Sequence, residues 1–382
     1  MRKNILVINS YSKDISPLFD LLEAMSGDFK FRLLSSNLNN ALRNQFNTKL
    51  WKTGYYLGWF SFNNWLTNTL FVLFYPFFIA SYFIIFFAFN YKFKLNTIIC
   101  ISLIDKFIFS IPANLFKCKV IWLELPDEEA LFESRIAQII YKVNLRFCDK
   151  VLVFNDLTMA KLMVIGARKE GVVKISTGFE VQKYQHQDDL FNGMVARVRK
   201  NGQRYFTIGV IADLVDSGYI KILFQAVSRC LEVIPNIQVV IIGDGEDKKT
   251  LSWLAKTMKL DNLVWFVGRQ LKLRKWIDNF DCFILTTTIP TIVDLSTIYA
   301  VMYGSVPIIA QRHVGLENLM VSTEGILNTL IDISNHEMLA KKIIEIEQDA
   351  IMRSKVGELE KQHILKDHNF EQQVLKIRDI IK

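Results

Sequence analysis

The strongest constraint on this 382-residue chain is the alternation that runs through its second half. Short apolar runs, rich in β-branched residues, occur at Phe206 to Ile211, Ile237 to Ile242, Leu263 to Val267, Cys282 to Thr286 and Val306 to Ala310. Between them lie helical stretches at Tyr219 to Ile234, Asp247 to Met258, Leu273 to Asn279 and Leu295 to Tyr303, and His336 to Glu347 follows as a last helix. Apolar runs of this length suit strands covered on both faces, and the helices between them supply the crossovers that parallel strands require. The expected fold class is therefore α/β, built on a doubly wound parallel sheet. Right-handed crossovers place the loops after the strands on one edge, where such sheets bind ligands.

The first half carries the same rhythm less regularly. Strands are expected at Ile5 to Ile8, Phe31 to Ser35, Thr97 to Leu103, Val120 to Leu123, Lys150 to Phe154 and Val172 to Ser176. Helices are expected from Ser16-Pro17 onward, with Ser16 as N-cap, at Ser134 to Phe147, and at Asp156 to Ile165, which Gly166 ends. Residues 181–204 are polar and weakly periodic, as a linker would be.

One segment breaks the rhythm. From Thr53 to Tyr91 there is no Asp, Glu, Lys or Arg, and Thr67 to Phe89 is long enough to cross a bilayer. Lys49, Lys52, Lys92 and Lys94 flank it, and Trp51, Trp59, Trp65, Tyr82 and Tyr91 are residues of the interfacial kind. A spanning helix would cut the Ile5–Ile8 strand off from the sheet it belongs to. The expectation is a membrane-contact segment over about residues 53–91 that lies in the interface or dips in as a short hairpin, kinked at Pro76. An apolar core helix and a true span are the alternatives.

The net charge of +8 is compatible with nucleic acid, anionic lipid or phosphorylated substrates. No zinc-finger or RNA-binding signature occurs, so nucleic acid is not expected as a partner. The five cysteines are scattered, without a C-x-x-C pair or a Cys/His cluster, as reduced cytoplasmic thiols would be. The run after Arg2-Lys3 is too short for a secretory signal core.

Three turns on the expected binding edge carry the chemistry. Gly243-Asp244-Gly245 joins a strand to a helix, where backbone can approach a ligand and the helix N-terminus favours an anion. Gly268-Arg269 follows the next strand, and Gly304-Ser305-Val306-Pro307 leads from a helix into a strand. Singly, each is also an ordinary turn. In series the segments are "IGVIADL…SGYIKILFQAV", "IQVVIIGDGED", "LVWFVGRQ", "DCFILTTT", "YAVMYGSVPIIAQRHVGLENLM" and "EGILNTL". The series resembles the C-terminal domain of retaining GT-B glycosyltransferases of the family-4, or group 1, type, over roughly residues 205–345. The resemblance extends weakly to residues 120–180 through "CDKVLVFND" and "KISTGFE".

The resemblance implies a GT-B fold of two Rossmann-like, doubly wound parallel-sheet domains facing a cleft. Residues 1–180 would form the acceptor side, 181–204 the linker, 205–360 the donor-nucleotide domain, and 361–382 a helix returning to the first domain. It further implies a nucleotide-sugar donor, a lipid-linked or glycan acceptor, no metal and no cofactor. The setting inferred is the anionic inner face of the cell membrane, on the cytoplasmic side. The donor-binding candidates are Gly243, Asp244, Gly245, Gly268, Arg269, Asp294, Tyr299 and Glu317; the catalytic candidates are Glu124, Asp127 and His313. A solvated loop residue is the plain alternative for each charged one.

The chain also departs from the family. The first-loop Arg and Lys that meet the diphosphate fall near Asp213 and Ser217, and the two Glu spaced by eight fall on Thr291 and Tyr299. Arg269, Arg274, Lys275 and Arg312 are the nearby cations. The glycine-rich acceptor loop is missing, since Asn9 to Ser16 has no Gly. These departures keep open a second reading, a catalytically degenerate GT-B-like subunit that binds or scaffolds a partner at the membrane.

Overall fold

A computed structural model describes residues 2–11, 13–35, 53–55, 65–127, 135–185, 204–215, 218–270, 272–287, 289–313, 316–317, 319 and 329–382. The chain divides into two compact units. The first comprises Met1–Thr177, Thr291–Val293 and Phe370–Lys382; the second comprises Gly178–Pro290 and Asp294–Asn369.

In the first unit the described elements are β1 (Lys3–Asn9), α1 (Ser16–Ala24), β2 (Phe29–Ser35), β3 (Thr53–Tyr55), α2 (Trp65–Phe93), β4 (Thr97–Cys100), α3 (Leu103–Leu115), β5 (Lys119–Glu124), α4 (Arg135–Asn144), β6 (Lys150–Val153), α5 (Asp156–Ile165) and β7 (Val172–Lys174). All seven strands pair in parallel, in the order β3-β2-β1-β4-β5-β6-β7. The order reverses direction at β1 and β4, which is where an open α/β sheet forms its binding crevice.

Helices α2, α3, α4 and α5 cover one face. Tyr82, Phe86, Phe107, Tyr141 and Leu162 pack there against Leu6, Ile8, Cys100, Trp122 and Val153. Burying a side chain such as Phe86 contributes about 1.5–3 kcal/mol.

Three expectations need correction here. The apolar segment is not a hairpin, because α2 runs as one 29-residue helix straight through Pro76. Packing of its inner face on α3 and the sheet supplies what the missing N–H withdraws. Between the strands expected at Thr97 and Val120 lies α3, for which no helix was expected. Its N-terminus is set by a capping box, in which Ser102 accepts from the Asp105 N–H and Asp105 accepts from the Ser102 N–H. At α1, Ser16 is the first helical residue and Ile15 the cap; Asp14 accepts the Ser16 N–H instead.

The second unit holds α6 (Val181–Gln185), β8 (Phe206–Ile211), α7 (Gly218–Cys230), β9 (Ile237–Ile242), α8 (Lys248–Thr257), β10 (Val264–Gly268), α9 (Arg274–Ile277), β11 (Cys282–Ile284), α10 (Ile292–Tyr303), β12 (Ile308–Gln311), β13 (Leu330–Ile331), α11 (His336–Gln348) and α12 (Ala350–Asp367). Its six strands are parallel, in the order β10-β9-β8-β11-β12-β13. The reversal lies at β8 and β11. Of the stretch expected to be a linker, 181–185 is helical and 186–203 lies outside the described residues.

The end of the chain is two helices rather than one. The chain leaves α12 at Asp367 and begins α13 (Phe370–Ile381), which belongs to the first unit. The Lys3 and Lys119 ammonium groups donate to the carbonyls of Lys382 and Ile380, and the Gln373 side chain accepts the Ser176 N–H.

Within α12, Glu360 is fully buried and neither carboxyl oxygen has a partner. Burial pushes its carboxyl well above the usual range, so the folded state keeps the proton. The unfolded chain gives that proton up in the ordinary carboxylate range. Stability is therefore intact below that range and is lost as pH rises toward the folded value. Glu360→Gln, similar in shape but not titrating, is expected to melt higher than wild type at about pH 8 and to flatten the decline from about pH 5. Thermal denaturation at several pH values checks this; parallel curves for the two proteins would contradict it.

Candidate functional site

In the first unit, the strand ends at the β1–β4 reversal carry an unusual amount of buried polarity. Asn9, Ser35, Ser102, Asp105, Lys106, Ser110 and Glu124 are all buried. Asp105 accepts N–H bonds from Ser10 and Ser102, and the Ser10 and Ser102 hydroxyls touch. Burial, only partly offset by those hydrogen bonds, pushes the Asp105 carboxyl up to about 6.

Beneath this, Glu124 is 2% exposed and sits 2.9 Å from the fully buried Lys106 ammonium. The Tyr141 hydroxyl donates to the same carboxylate at 2.8 Å, and the Trp122 indole N–H donates to Ser110. Glu124 is thus held inside an ion pair rather than presented to a ligand. Asp127 sits differently. Its Oδ2 accepts from the Tyr11 hydroxyl at 2.5 Å and from Lys13 at 2.6 Å, while its buried Oδ1 has no partner. Tyr11 and Lys13 lie on the loop that lacks the family's glycines, and this loop reaches across to Asp127. Sequence reasoning missed them; the Asp105-Lys106 pair inside an apolar run was the available sign of a buried charge network.

In the second unit the loops after β8, β9 and β10 interlock. Gly243 has φ +148°, and its N–H donates to the Gly268 carbonyl at 3.0 Å. The Leu214 N–H donates to the Asp244 carbonyl, and the Asp247 N–H donates to the Leu214 carbonyl. A Cβ on Gly243 would lie 1.8 Å from the Ala212 carbonyl oxygen, and one on Gly245 would lie 2.4 Å from that of Leu214. Both glycines therefore admit the neighbouring loop's backbone. Gly268, at φ +71°, faces open space. Asp244 accepts the Gly245 N–H and lies 3.5 Å from Lys248, at the start of α8.

Arg269 lies 3.0 Å from Asp213, both well exposed, so the acid at the family's Arg place is neutralised by a cation from the loop after β10. Asp294 occupies the first turn of α10, where the helix dipole favours an acid. Tyr299 is buried and packs on the His368 ring, centroids 4.6 Å apart. The His313 carbonyl accepts the Leu316 and Glu317 N–H groups, which sets the Glu317 turn just beyond β12. The Arg312 guanidinium is occupied with the Leu330 carbonyl, and Arg274 with the Gln185 carbonyl and Asp278. Ser217 and Gly315 lie outside the described residues. The five cysteines are unpaired, and burial raises the Cys118 and Cys230 thiols to about 11 and about 12, away from nucleophilic use.

Two Rossmann-like units with parallel sheets constitute the GT-B fold. Residues 196–363, most of the second unit, match the family model described as "Glycosyl transferases group 1". The chain superposes on the crystal structure of Anabaena Alr3699/HepE in complex with UDP, with TM-score 0.74 and 15% identity, covering 99% of each chain. It superposes similarly on sucrose-phosphate synthase from Thermosynechococcus elongatus, with TM-score 0.70 and 15% identity over 99% of this chain and 98% of that one. A curated relative from Methanocaldococcus jannaschii, "Uncharacterized glycosyltransferase MJ1059", is 24% identical over 176 residues, 44% of this chain. The match spans 42% of that relative's length.

Removing one partner of the buried pair is expected to be costly. Glu124→Ala should lose about 3–5 kcal/mol of stability in denaturant titration, because the Lys106 charge stays buried and unpaired. A fully stable variant would free Glu124 for another role. Gly243→Ala should cost about 1–3 kcal/mol, since alanine meets both a forbidden φ and the Ala212 carbonyl. A neutral result in the same titration would contradict the interlocked-loop description.

Proposed function

We propose that this protein is a glycosyltransferase. In this reading it moves a sugar from a nucleotide-sugar donor to a lipid-linked or polysaccharide acceptor at an anionic membrane surface. The observation that carries the donor assignment is the interlock of the loops after β8 and β9 around Gly243 and Gly245, with Arg269 beside it. In this reading the N-terminus of α8 meets the diphosphate, and Arg269 exchanges Asp213 for it to supply the cation. Glu317 and Asp294 are the acidic groups proposed for sugar and ribose hydroxyls, and His313 for the reacting sugar. Asp127, held by Tyr11 and Lys13, is the acid proposed to orient an acceptor hydroxyl or act as base. Retention of configuration without a metal or cofactor completes the proposal, with positive backbone ends and Arg269 taking the leaving-group charge.

The membrane part rests on α2. Val72–Phe93 is apolar and long enough to cross a bilayer, with a mean hydropathy of 2.2 over its richest window, yet its inner face belongs to the core of the first unit. A helix that completes a soluble core on one side and leaves apolar side chains outside fits contact with the interface rather than a span. The setting proposed is the cytoplasmic face.

One observation favours the degenerate-subunit reading. Tyr299, at the place of the family's ribose-gripping Glu, is packed against His368. Nucleotide binding separates the two readings. UDP or GDP, or one of their sugars, at about a hundred times Kd should stabilise the protein by about 2.7 kcal/mol, seen as a thermal shift. Arg269→Glu should weaken that binding at least about tenfold. No shift with any of these ligands at millimolar concentration would overturn the enzyme reading.

A further inference from the structure

Helix α3 is buried nearly all round between the sheet and the helices packed on it, so the exposed faces on that side of the first unit are those of α2, α4 and α5. On α2 that side is an unbroken apolar stripe at helical spacing, Leu73, Phe77, Ile84, Phe87 and Tyr91, with Leu73 71%, Ile84 69% and Tyr91 81% exposed. It is larger than the scattered apolar residues of an ordinary surface. The Asn144 side chain at the end of α4 donates to the Tyr75 hydroxyl of α2, which ties the two helices together.

The exposed face of α4 is of another kind. Arg135, Ile139, Lys142 and Val143 follow one another along it, and Arg146 continues the face in the turn just beyond, mixing cations with exposed apolar side chains. That pattern suits a helix lying at the surface of an anionic bilayer. Lys142 and Arg146 also line a groove of about 710 Å³, together with Lys150, Arg168, Asp149 and Glu170. Four cations against two acids leave two positive charges in excess. One acid is engaged, since Asp149 accepts the Val120 N–H. Lys150 donates to the Glu170 carbonyl. Lys142, Arg146 and Arg168 have no ion-pair partner among the described residues. Nearby, burial and then repulsion from Lys3 hold the Lys119 ammonium below its ordinary range, with Lys150 adding to that repulsion. The groove is thus positive and open, and the Asn144–Tyr75 bond ties the helix that carries it to α2.

We infer that the outer side of this helix layer seats on an anionic phospholipid bilayer, with the α2 stripe at the acyl boundary and a lipid phosphate headgroup held in the groove by Lys142, Arg146 and Arg168. The assignment rests on the membrane-associated reading and places it on named residues. Charge complementarity selects the occupant. A second copy of this chain, itself net positive, would bring cations against cations.

Flotation of the full chain with phosphatidylcholine vesicles, and with vesicles containing phosphatidylglycerol, tests it. Wild type should float with the anionic vesicles and be released by high salt. Arg146→Gln/Arg168→Gln should weaken that binding about twenty-fivefold, at roughly fivefold per charge removed, with the melting temperature unchanged. Leu73→Ser/Ile84→Ser should weaken binding to both vesicle types. If the arginine variant floats like wild type while wild type still prefers anionic vesicles, the headgroup site is wrong and membrane association stands. If wild type floats with neither, the membrane reading itself fails. A melting shift of wild type, but not of the arginine variant, with millimolar glycerol 3-phosphate and no flotation would make the groove a soluble-anion site and overturn the bilayer assignment. Conversion of a dimer to a monomer by Leu73→Ser/Ile84→Ser would likewise overturn it in favour of a second copy.

Discussion

A parallel sheet has to be covered on both faces, and most of what distinguishes this protein follows from how that cover is built. In the first unit one face is closed by α2 to α5 and the chain's last helix, α13, is tied into the same unit through the Lys3, Lys119 and Ser176 contacts. Because α2 is used as cover, its inner residues Tyr82 and Phe86 are committed to the core. A segment with the composition of a membrane span is thereby anchored to the protein at Tyr82 and Phe86, while most of its other apolar side chains stay exposed or half-buried. In the second unit amphipathic helices such as α7 and α8 meet the same demand beside the more apolar α10, and the strand ends are left for loops that grip one another.

The second unit was legible in the sequence because its strands are short, β-branched and punctuated by glycine. Ile237–Ile242 stops at Gly243, and Gly243 is required there by the backbone that crosses it. The first unit was harder to read. Helix α3 follows β4 after only two residues, and its apolar composition merges with the strand before it; only the Ser102–Asp105 capping box marks the change. Pro76 points to a kink in a short hairpin, but the helix runs on through it. At the C-terminus, the break at His368-Asn369 has no Gly or Pro to announce it, and the boundary between the units falls there.

The site was legible in its turns and illegible in its charges. Asp213 looked like a cation lost from the phosphate-binding loop. Its pairing with Arg269 joins two strands that are not consecutive neighbours in the chain, so no local spacing reveals it. Glu124 and Asp127, three residues apart, looked interchangeable as acids after a strand. Burial separates them: Glu124 is sealed against Lys106, while Asp127 is held from one side by Tyr11 and Lys13 and keeps one oxygen unpartnered. A loop without glycine after β1 is what brings Tyr11 and Lys13 there.

In the proposed donor site the turns after β8 and β9, whose own amides are largely spent on one another, present the N-terminus of α8 to the diphosphate of a nucleotide. Hydrogen–deuterium exchange with and without UDP reads those amides directly. Slower exchange is expected at residues 212–215 and 243–248 when UDP is saturating, with the strands beneath unchanged. Unchanged exchange at both turns, with protection appearing elsewhere in the second unit, would contradict it.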